Sequence, residues 1–563
     1  MNLPSAVVWA MALVISTSTM TFSAQAADMT REAQEFIAQF EAELRPLEIQ
    51  AGLAWWNANI SGSDADFAAK EEAEKKLNAS LASPDSFAKL KAIRSGEIPD
   101  KLLHRQIDVL YLKYLEKQVD PALLNRIIAK SNAIEKAFNV FRAEVGSKSL
   151  TDSEVRKVLR ESKDSAERQQ VWEASKRVGS VVEADLRELV YLRNEAAHKL
   201  GFANYHAMQL ELNEQSQAEV LKLFDELDEL TREPFRQAKQ EIDRQLAERC
   251  SVTVDELRPW HYQDPFFQEP PDVYGVDLDV PFRNVDIVQI CRQFYSGIDL
   301  PIDDVIARSD LFEKPGKSPH AFCTDIDREG DVRVLANIVP NEYWMTTMLH
   351  ELGHAVYSSK NIPRTMPYTI RSEAHILTTE GVAMMFERFA SDARWLKEFQ
   401  VEVADPEAYT AAGRRMRRDK LLIFSRWCQV MLRFEVELYK NPEQDLNRLW
   451  WDLVEKYQLV RRPDERSAPD FASKIHVVSA PAYYHNYMMG ELFACQLHAA
   501  IVDQVLGQSD PATAIYTRDP RVGEFMRTKV FAPGRSLPWN ELTRFATGRP
   551  LSPAAFAAEF RAR

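Results

Sequence analysis

The chain has 563 residues, of which 45% are apolar and 27% charged, and its formal net charge is −14. This composition suffices for a large buried core, and the acidic balance argues against nucleic acid as a partner. The five cysteines are widely spaced, show no metal-binding spacing and allow at most two disulfides.

The first 26 residues contain no acidic or basic side chain. They include the apolar run 6–15 and end in the small-residue pattern Ala24-Gln25-Ala26. We interpret them as a secretory signal peptide and expect a periplasmic or secreted protein, although no Lys or Arg precedes the run. The run is too short to span a bilayer, and no later segment is a candidate span. A single helical domain is therefore expected over 27–563, with no membrane contact.

Long amphipathic patterns follow and predict helices over 30–60, 65–82, 103–145, 152–178, 181–199 and 216–249. Residues 260–272 break this pattern and predict a loop, and helical periodicity returns at 284–296. The only predicted strands are 320–326 and the alternating stretch after Gly330, which together would form a hairpin. A strand edge there can hydrogen-bond the main chain of an extended peptide, and a purely structural hairpin is the alternative.

Residues 350–354 read His-Glu-Leu-Gly-His, the most informative motif in the chain. Asn341 follows a proline and is a natural N-cap, and an apolar stripe predicts a helix anchored in the core. On that helix His350 and His354 lie one turn apart on one face and can bind one Zn²⁺. Glu351 can then take a proton from a metal-bound water. A chance match on a surface helix is the alternative, and the scarcity of histidine, 11 in the chain, argues against it.

A catalytic zinc site needs a third protein ligand and keeps one position for water. Glu373 and Glu380 are seven residues apart on a second predicted helix, on nearly the same face. His375 is close in sequence but lies off that face, which favours a supporting or solvated role. The residues alone leave both glutamates as candidates.

A late segment, 474–487, combines one lysine, two histidines and three tyrosines. Peptide hydrolysis builds negative charge on the carbonyl oxygen, and a tyrosine hydroxyl or an imidazole N–H aimed there stabilises the transition state. Ordinary core tyrosines at a helix start are the alternative explanation.

Together these residues resemble the angiotensin-converting-enzyme family of zinc dipeptidyl carboxypeptidases, over most of the chain after residue 26. Besides the zinc motif, the matching segments are 53–60, 192–197, Gly201-Phe202, His320-Ala321, Tyr457-Gln458, Arg466-Ser467, Asp470-Phe471, Lys474, His476, Tyr487 and Gln496-Leu497-His498. The resemblance implies a mostly α-helical, two-lobed ellipsoid with a deep central groove and a small β-sheet beside the zinc site. The helices at 30–82 would partly cover the groove.

The resemblance also implies roles at the metal. His350, His354 and Glu373 would bind one Zn²⁺, with Glu373 preferred to Glu380 because it opens its helix in the position of the family's ligand. Glu351 would act as the general base and then as the acid that protonates the leaving amine.

Further implied roles concern the substrate. His320 and His476 would hydrogen-bond the carbonyl beyond the scissile bond, with Ala321 as a neighbouring substrate contact. Tyr487 would support the oxyanion.

The C-terminal carboxylate of the substrate has its own implied partners. Lys474 and Tyr484 would bind it through charge-assisted hydrogen bonds, with Gln263 as a third partner.

Some positions depart from the family's pattern. The spacing from His354 to Glu373 is several residues shorter, which implies a trimmed loop, and Leu377 stands where the family has an orienting aspartate.

Other departures concern chloride and a disulfide. Asn486 replaces an arginine that binds chloride in many relatives, while Arg466 would keep part of a second chloride site. Cys323 is displaced and has no partner before the metal helix, so the family's disulfide at this place is not expected.

We therefore expect a zinc metallopeptidase that hydrolyses short peptides, releases dipeptides from a free C-terminus and needs no organic cofactor. A thimet-type endo-oligopeptidase with the same metal scheme is the first alternative. A non-catalytic homologue that binds zinc and peptides is the second. The intact Glu351 argues against it, because a binding module has no need of a base beside the metal.

Overall fold

The computed structural model describes residues 6–271 and 275–560, with side chains from residue 27 onward. Helices account for 68% of the chain and strands for 3%, which confirms the mostly α class. In the described ranges the first helices are α1 (Ala6–Ser61), α2 (Asp64–Leu81), α3 (Pro84–Ser95), α4 (Lys101–Glu116), α5 (Pro121–Val140), α6 (Asp152–Glu161), α7 (Ser165–Lys199), α8 (Tyr205–Leu212), α9 (Gln217–Cys250), α10 (Ile287–Gly297) and α11 (Asp303–Arg308). They are followed by α12 (Glu342–Val356), α13 (Ile376–Glu387), α14 (Ala393–Glu398), α15 (Pro406–Lys440), α16 (Leu446–Gln458), α17 (His476–Ser479), α18 (Tyr484–Gln504), α19 (Pro520–Phe525), α20 (Trp539–Thr547) and α21 (Ala554–Ala558).

Two antiparallel hairpins accompany the helices. Strands β3 (Phe322–Asp325) and β4 (Val332–Leu335) form the predicted hairpin, with Phe322 opposite Leu335. Strands β1 (Ala143–Val145) and β2 (Lys148–Leu150) form a second hairpin that the sequence pattern did not reveal. Its strands have three residues each, too few for alternation to register.

Several predicted helix boundaries were wrong. The helix expected over 103–145 is divided between α4 and α5, because Asp120 caps a new helix that has a proline in its first turn. The helices expected over 152–178 and 181–199 are α6 and the long α7, and Asp164 caps the start of α7. The N-capping aspartates therefore mark where these helices begin. The apolar periodicity on which the prediction rested continues across both helix ends and did not reveal them.

One large apolar cluster forms the core. It runs from Ile134 to Phe556 and includes residues of α12, α13, α15 and α18. A second cluster is made mainly by α1 to α4, with Tyr368 from a later loop. Two interleaved lobes, a deep groove and cleavage after residue 26 remain predictions. No described helix combines the length and apolar character needed to cross a bilayer.

Glycines set the close approach of the helices that carry the candidate site. A Cβ on Gly353 of α12 would lie 2.6 Å from the Cα of Ala383 on α13. A Cβ on Gly381 of α13 would lie 2.8 Å from the carbonyl oxygen of Gly490 on α18. The backbones of α12, α13 and α18 thus approach too closely for a larger residue at either position, which holds their side chains together.

Candidate active site

Three side chains converge on one point between α12 and α13. The Nε2 atoms of His350 and His354 lie 3.1 Å apart. Oε2 of Glu380 lies 3.6 Å from Nε2 of His350 and 4.0 Å from Nε2 of His354. Ligand atoms of a tetrahedral zinc site, with bonds of ~2.0–2.1 Å, are separated by about 3.3 Å. The donor set and its spacing therefore fit one Zn²⁺.

The choice of Glu373 as third ligand was wrong, because the structure brings Glu380 to the two imidazoles. Glu373 does not open a helix: α13 begins at Ile376, and His375 is its N-cap, accepting the backbone N–H of Leu377 at 3.0 Å. Glu373 is left in the preceding loop. The trimmed loop and the role of Leu377 in place of an orienting aspartate followed from that choice and are withdrawn with it.

The outer nitrogens of both imidazoles have protein partners. Nδ1 of His350 lies 2.7 Å from Oε2 of Glu387, and Nδ1 of His354 lies 2.7 Å from Oγ1 of Thr379. Burial opposes ionisation of Glu387, but Lys420 and then His350 outweigh it and lower the pKa of Glu387 to about 2. Such partners place the proton on Nδ1 and turn Nε2 toward the metal. Sequence reasoning missed Glu387, although it lies two turns after Glu380 on the same face.

Glu351 is buried beside the metal cluster, with 8% of its surface exposed. Burial is the main cause that raises the pKa of Glu351 to about 7, opposed by His350. The backbone N–H of Cys323 in β3 hydrogen-bonds its carboxylate. A carboxylate with a pKa near neutrality is suited to accept and return a proton.

The loop before β3 contains two of the predicted substrate contacts. His320 is exposed and Ala321 is half-buried, immediately before the strand whose backbone contacts Glu351. This location beside the candidate base agrees with a substrate role, which stays a prediction.

The late cluster forms around one buried cation. Nζ of Lys474 donates to Oε1 of Gln268 at 2.7 Å, and the hydroxyl of Tyr484 lies 3.5 Å from the same oxygen. The rings of His476 and Tyr484 are 5.2 Å apart, and those of Tyr484 and Tyr487 are 5.6 Å apart. Lysine, glutamine, histidine and two tyrosines therefore form one contiguous group.

Gln268 occupies the place expected for Gln263. Gln263 is buried with a left-handed φ of 67° and lines a different cavity, together with Asp264 and Glu269. The expectation for Gln263 was wrong by five residues. The loop over 260–272 has no regular period, so the sequence gives no sign of which glutamine faces Lys474.

A cavity of about 350 Å³ adjoins this group. Its lining includes Lys474, Gln268 and His476, and also Lys176 and the ion pair of Arg156 with Asp152. Burial, opposed chiefly by Asp264, lowers the pKa of Lys474 to about 8. Burial likewise lowers the pKa of Lys176 to about 7. At neutral pH Lys474 is therefore mainly cationic and can attract a carboxylate.

The metal cluster and the late cluster meet where α13 packs against α18. Burial and then the charge of Glu380 raise the pKa of Tyr487. The hydroxyl of Tyr487 consequently stays protonated and can donate a hydrogen bond. Tyr487 of the late cluster therefore lies near Glu380 of the metal cluster.

The two positions compared above with the family's chloride sites, Asn486 and Arg466, have hydrogen-bond partners within the protein. Oδ1 of Asn486 accepts a hydrogen bond of 2.7 Å from Gln215. Arg466 makes a two-pronged ion pair with Asp470, with both distances 2.8 Å. The only charge at these two positions is thus compensated within the protein.

The cysteines, all within the described ranges, are free thiols. Four are buried, and Cys323 is half-buried next to the base.

A family model described as peptidase M2, angiotensin-converting enzyme, matches residues 27–239 and 279–561. Angiotensin-converting enzyme of Mesocricetus auratus is 22% identical over 423 residues, or 68% of this chain and 31% of that protein. The enzyme of Theromyzon tessulatum is 23% identical over 280 residues, or 48% of this chain and 43% of that protein. The matches therefore span less than half the length of these relatives. Because the family match extends over most of the sequence and includes the metal cluster and residues 474–487, the chain belongs to the peptidase M2 family.

Proposed function

We propose that this protein is a zinc metallopeptidase that releases dipeptides from the free C-terminus of short peptides. The observation that carries the proposal is the joining of a His-His-Glu metal cluster to a buried lysine and two tyrosines in one site. Membership of the peptidase M2 family supports the same reaction class.

The residues divide the chemistry among them. Bound by His350, His354 and Glu380, Zn²⁺ would polarise the scissile carbonyl and favour ionisation of water. Glu351 accepts the proton of the attacking water and returns it to the leaving amine, a transfer that its pKa of about 7 allows in both directions. Tyr487 donates to the developing oxyanion.

The position of cleavage would be set by recognition of the substrate's end. Lys474 supplies a cation, and Tyr484 and Gln268 supply hydrogen bonds to one carboxylate at the C-terminus. His476 lies beside them and, with His320, would hold the carbonyl beyond the scissile bond. A free carboxylate is therefore preferred to an amide, which cannot form the ion pair with Lys474.

Mass spectrometry of the products from one unblocked peptide of about eight residues tests the proposal. We expect successive loss of C-terminal dipeptides, abolished by a chelator and reduced about 10²–10⁴-fold in Glu351→Gln. The same peptide with an amidated C-terminus should be cleaved much more slowly. Equal internal cleavage of both peptides would instead indicate an endo-oligopeptidase. Binding of zinc and peptide without turnover would indicate a non-catalytic homologue.

We further infer that the protein is exported, on the basis of residues 1–26. Sequencing the N-terminus of the protein from its native host checks this. A mature chain that begins near residue 27 is expected, and a chain that retains Met1 would contradict export by this route.

A further inference from the structure

A second cavity, of about 370 Å³, shares no described lining residue with the cavity beside Lys474. It lies between α15, the C-terminal end of α13, residues 511–515 and the residues after α21. Among the described residues, its charged lining has five arginines and two carboxylates: Arg388, Arg414, Arg415, Arg417, Arg418, Asp392 and Glu559. The wall therefore has an excess of positive charge, in a protein whose net charge is −14.

The arrangement of this wall follows from helix geometry. Arg414, Arg417 and Arg418 are three and four residues apart and share one face of α15. Arg388 reaches the cavity from the end of α13. Two helices thus direct guanidinium groups toward one space.

Internal ion pairs compensate only part of this charge. Arg418 is matched by Asp419 and Glu241, each at 2.8 Å. Glu559 pairs with Arg388 at 2.7 Å and lies 3.6 Å from Arg417.

Two further carboxylates of the described residues lie near this wall. Asp392 lies 3.7 Å from Arg414 but also pairs with Arg394. Glu491 is 4.0 Å from Arg417, and burial raises the pKa of Glu491, which weakens its charge.

Two of the guanidinium groups have buried donors that need acceptors. Nη1 of Arg388 and both Nε and Nη2 of Arg417 are buried and have no hydrogen-bond acceptor among the described residues. The carboxylates nearest Arg417 are beyond hydrogen-bonding distance. Burying such donors without acceptors is costly, and planar guanidinium donors match the oxygens of phosphate.

We propose that this arginine cavity binds a phosphate group, free or as part of a small phosphate ester. The oxygens would accept from Arg388 and Arg417, and the exposed Arg414 would add positive charge to the wall. The volume falls within the range of small-ligand pockets and exceeds the needs of one phosphate.

Isothermal titration calorimetry of the zinc-loaded protein, at constant ionic strength, tests the proposal with inorganic phosphate, pyrophosphate and glycerol phosphate. Saturable 1:1 binding is expected for at least one of them, with Kd raised at least tenfold in Arg417→Gln. Tighter binding of glycerol phosphate than of inorganic phosphate would indicate an ester as the ligand. The reverse order would indicate the free anion.

Three further variants make the result decisive. The variant Arg414→Gln removes an exposed charge of the wall and should raise Kd severalfold even if Arg417→Gln fails to fold. Arg292→Gln is the control. Arg292 is about as exposed as Arg414 but lies outside the cavity, where it pairs with Asp303, so its substitution should leave Kd unchanged. Lys474→Met should also leave it unchanged. The proposal is overturned if the wild type does not bind any of the three compounds. It is also overturned if both arginine-cavity variants bind as tightly as the wild type, or if Lys474→Met loses binding.

Discussion

Glu380 and Glu387 lie two turns apart on α13, yet they perform different tasks at the same pair of imidazoles. Glu380 faces the Nε2 atoms of His350 and His354, whereas Glu387 contacts Nδ1 of His350 from the other side. The first position suits a ligand, and the second suits a group that orients a ligand. Single residues on one helix face thus provide both the metal contact and its support.

Substitution of Glu380 and Glu387 distinguishes a metal ligand from a residue that orients a ligand. Glu380→Ala should weaken zinc binding by at least about a hundredfold, because a ligand is lost, and Glu387→Gln should weaken it about 10–100-fold. Glu373→Ala is the matched control and should bind zinc like the wild type. Competition with a chromogenic chelator measures all three. Loss of zinc in Glu373→Ala but not in Glu380→Ala would restore the original assignment.

If Lys474 binds the substrate's C-terminal carboxylate as proposed, this recognition should depend on pH. The ammonium form of Lys474 predominates below its pKa of about 8 and is lost above it, so kcat/KM for peptides with a free C-terminus should fall above about pH 8. Lys474→Met should reduce kcat/KM by roughly 10–100-fold for such peptides, since a hydrogen bond between charged groups contributes ~1.5–3 kcal/mol. The variant should also lose the inflection near pH 8. An unchanged pH profile in the variant would show that another group titrates.

At the scale of elements, the site depends on the contact of α12, α13 and α18. No single helix carries the whole site. Helix α12 supplies the two imidazoles, α13 supplies Glu380 and α18 supplies Tyr487. The glycines at their crossings allow the backbones to approach closely enough for these side chains to meet. The hydrogen bond from Cys323 to Glu351 attaches β3 to the same assembly.

Gly353→Ala tests this dependence. The new methyl group would meet backbone rather than a mobile side chain, so α12 must move away from α13, at a cost of roughly 1–3 kcal/mol in the free energy of unfolding. Zinc affinity should fall as well, because Glu380 moves with α13. Gly52→Ala, where the nearest atom would be 3.5 Å away, is the matched control and should be tolerated. Chemical denaturation and chelator competition measure the two effects, and normal zinc affinity in Gly353→Ala would contradict the argument.

At the scale of the whole molecule, the apolar residues divide unequally. The large cluster joins helices from α5 to α21, whereas α1 to α4 bury their apolar faces mainly against one another. Smaller cooperative units of this kind open at lower free energy than a large core. Of these four helices, α1 and α2 are the ones expected to cover the groove, and α1 also packs Trp56 against Ile326 and Leu335.

Hydrogen exchange measured by mass spectrometry tests this difference. Peptides from α2, α3 and α4 should exchange faster than peptides from α12, α13 and α18, because opening the smaller cluster exposes less apolar surface. A short peptide bound to Glu351→Gln should slow exchange in α1 and α2 if these helices cover the substrate. Equal protection of both groups in the free protein would show that they unfold together.

The sequence by itself determined the metal helix, because its information is local. The spacing of His350 and His354 and the capping side chain of Asn341 specify α12 without reference to the rest of the chain, and Asn341 accepts the N–H of Trp344 at 2.9 Å as expected. The alternation of apolar residues likewise predicted the β3–β4 hairpin. The local composition predicted the group formed by Lys474 and the nearby tyrosines.

Only the tertiary structure decided which glutamate and which glutamine join these groups. Glu373 and Glu380 are equivalent in periodicity, and the difference lies in where α13 begins. The hydroxyl of Tyr357 accepts the N–H of Ala374 and helps to fix that point from outside the segment. Gln263 and Gln268 belong to an irregular loop whose course depends on the helices around it. Helix spacing is a local property, whereas the partner across a helix contact or along a loop is selected by packing between segments distant in sequence.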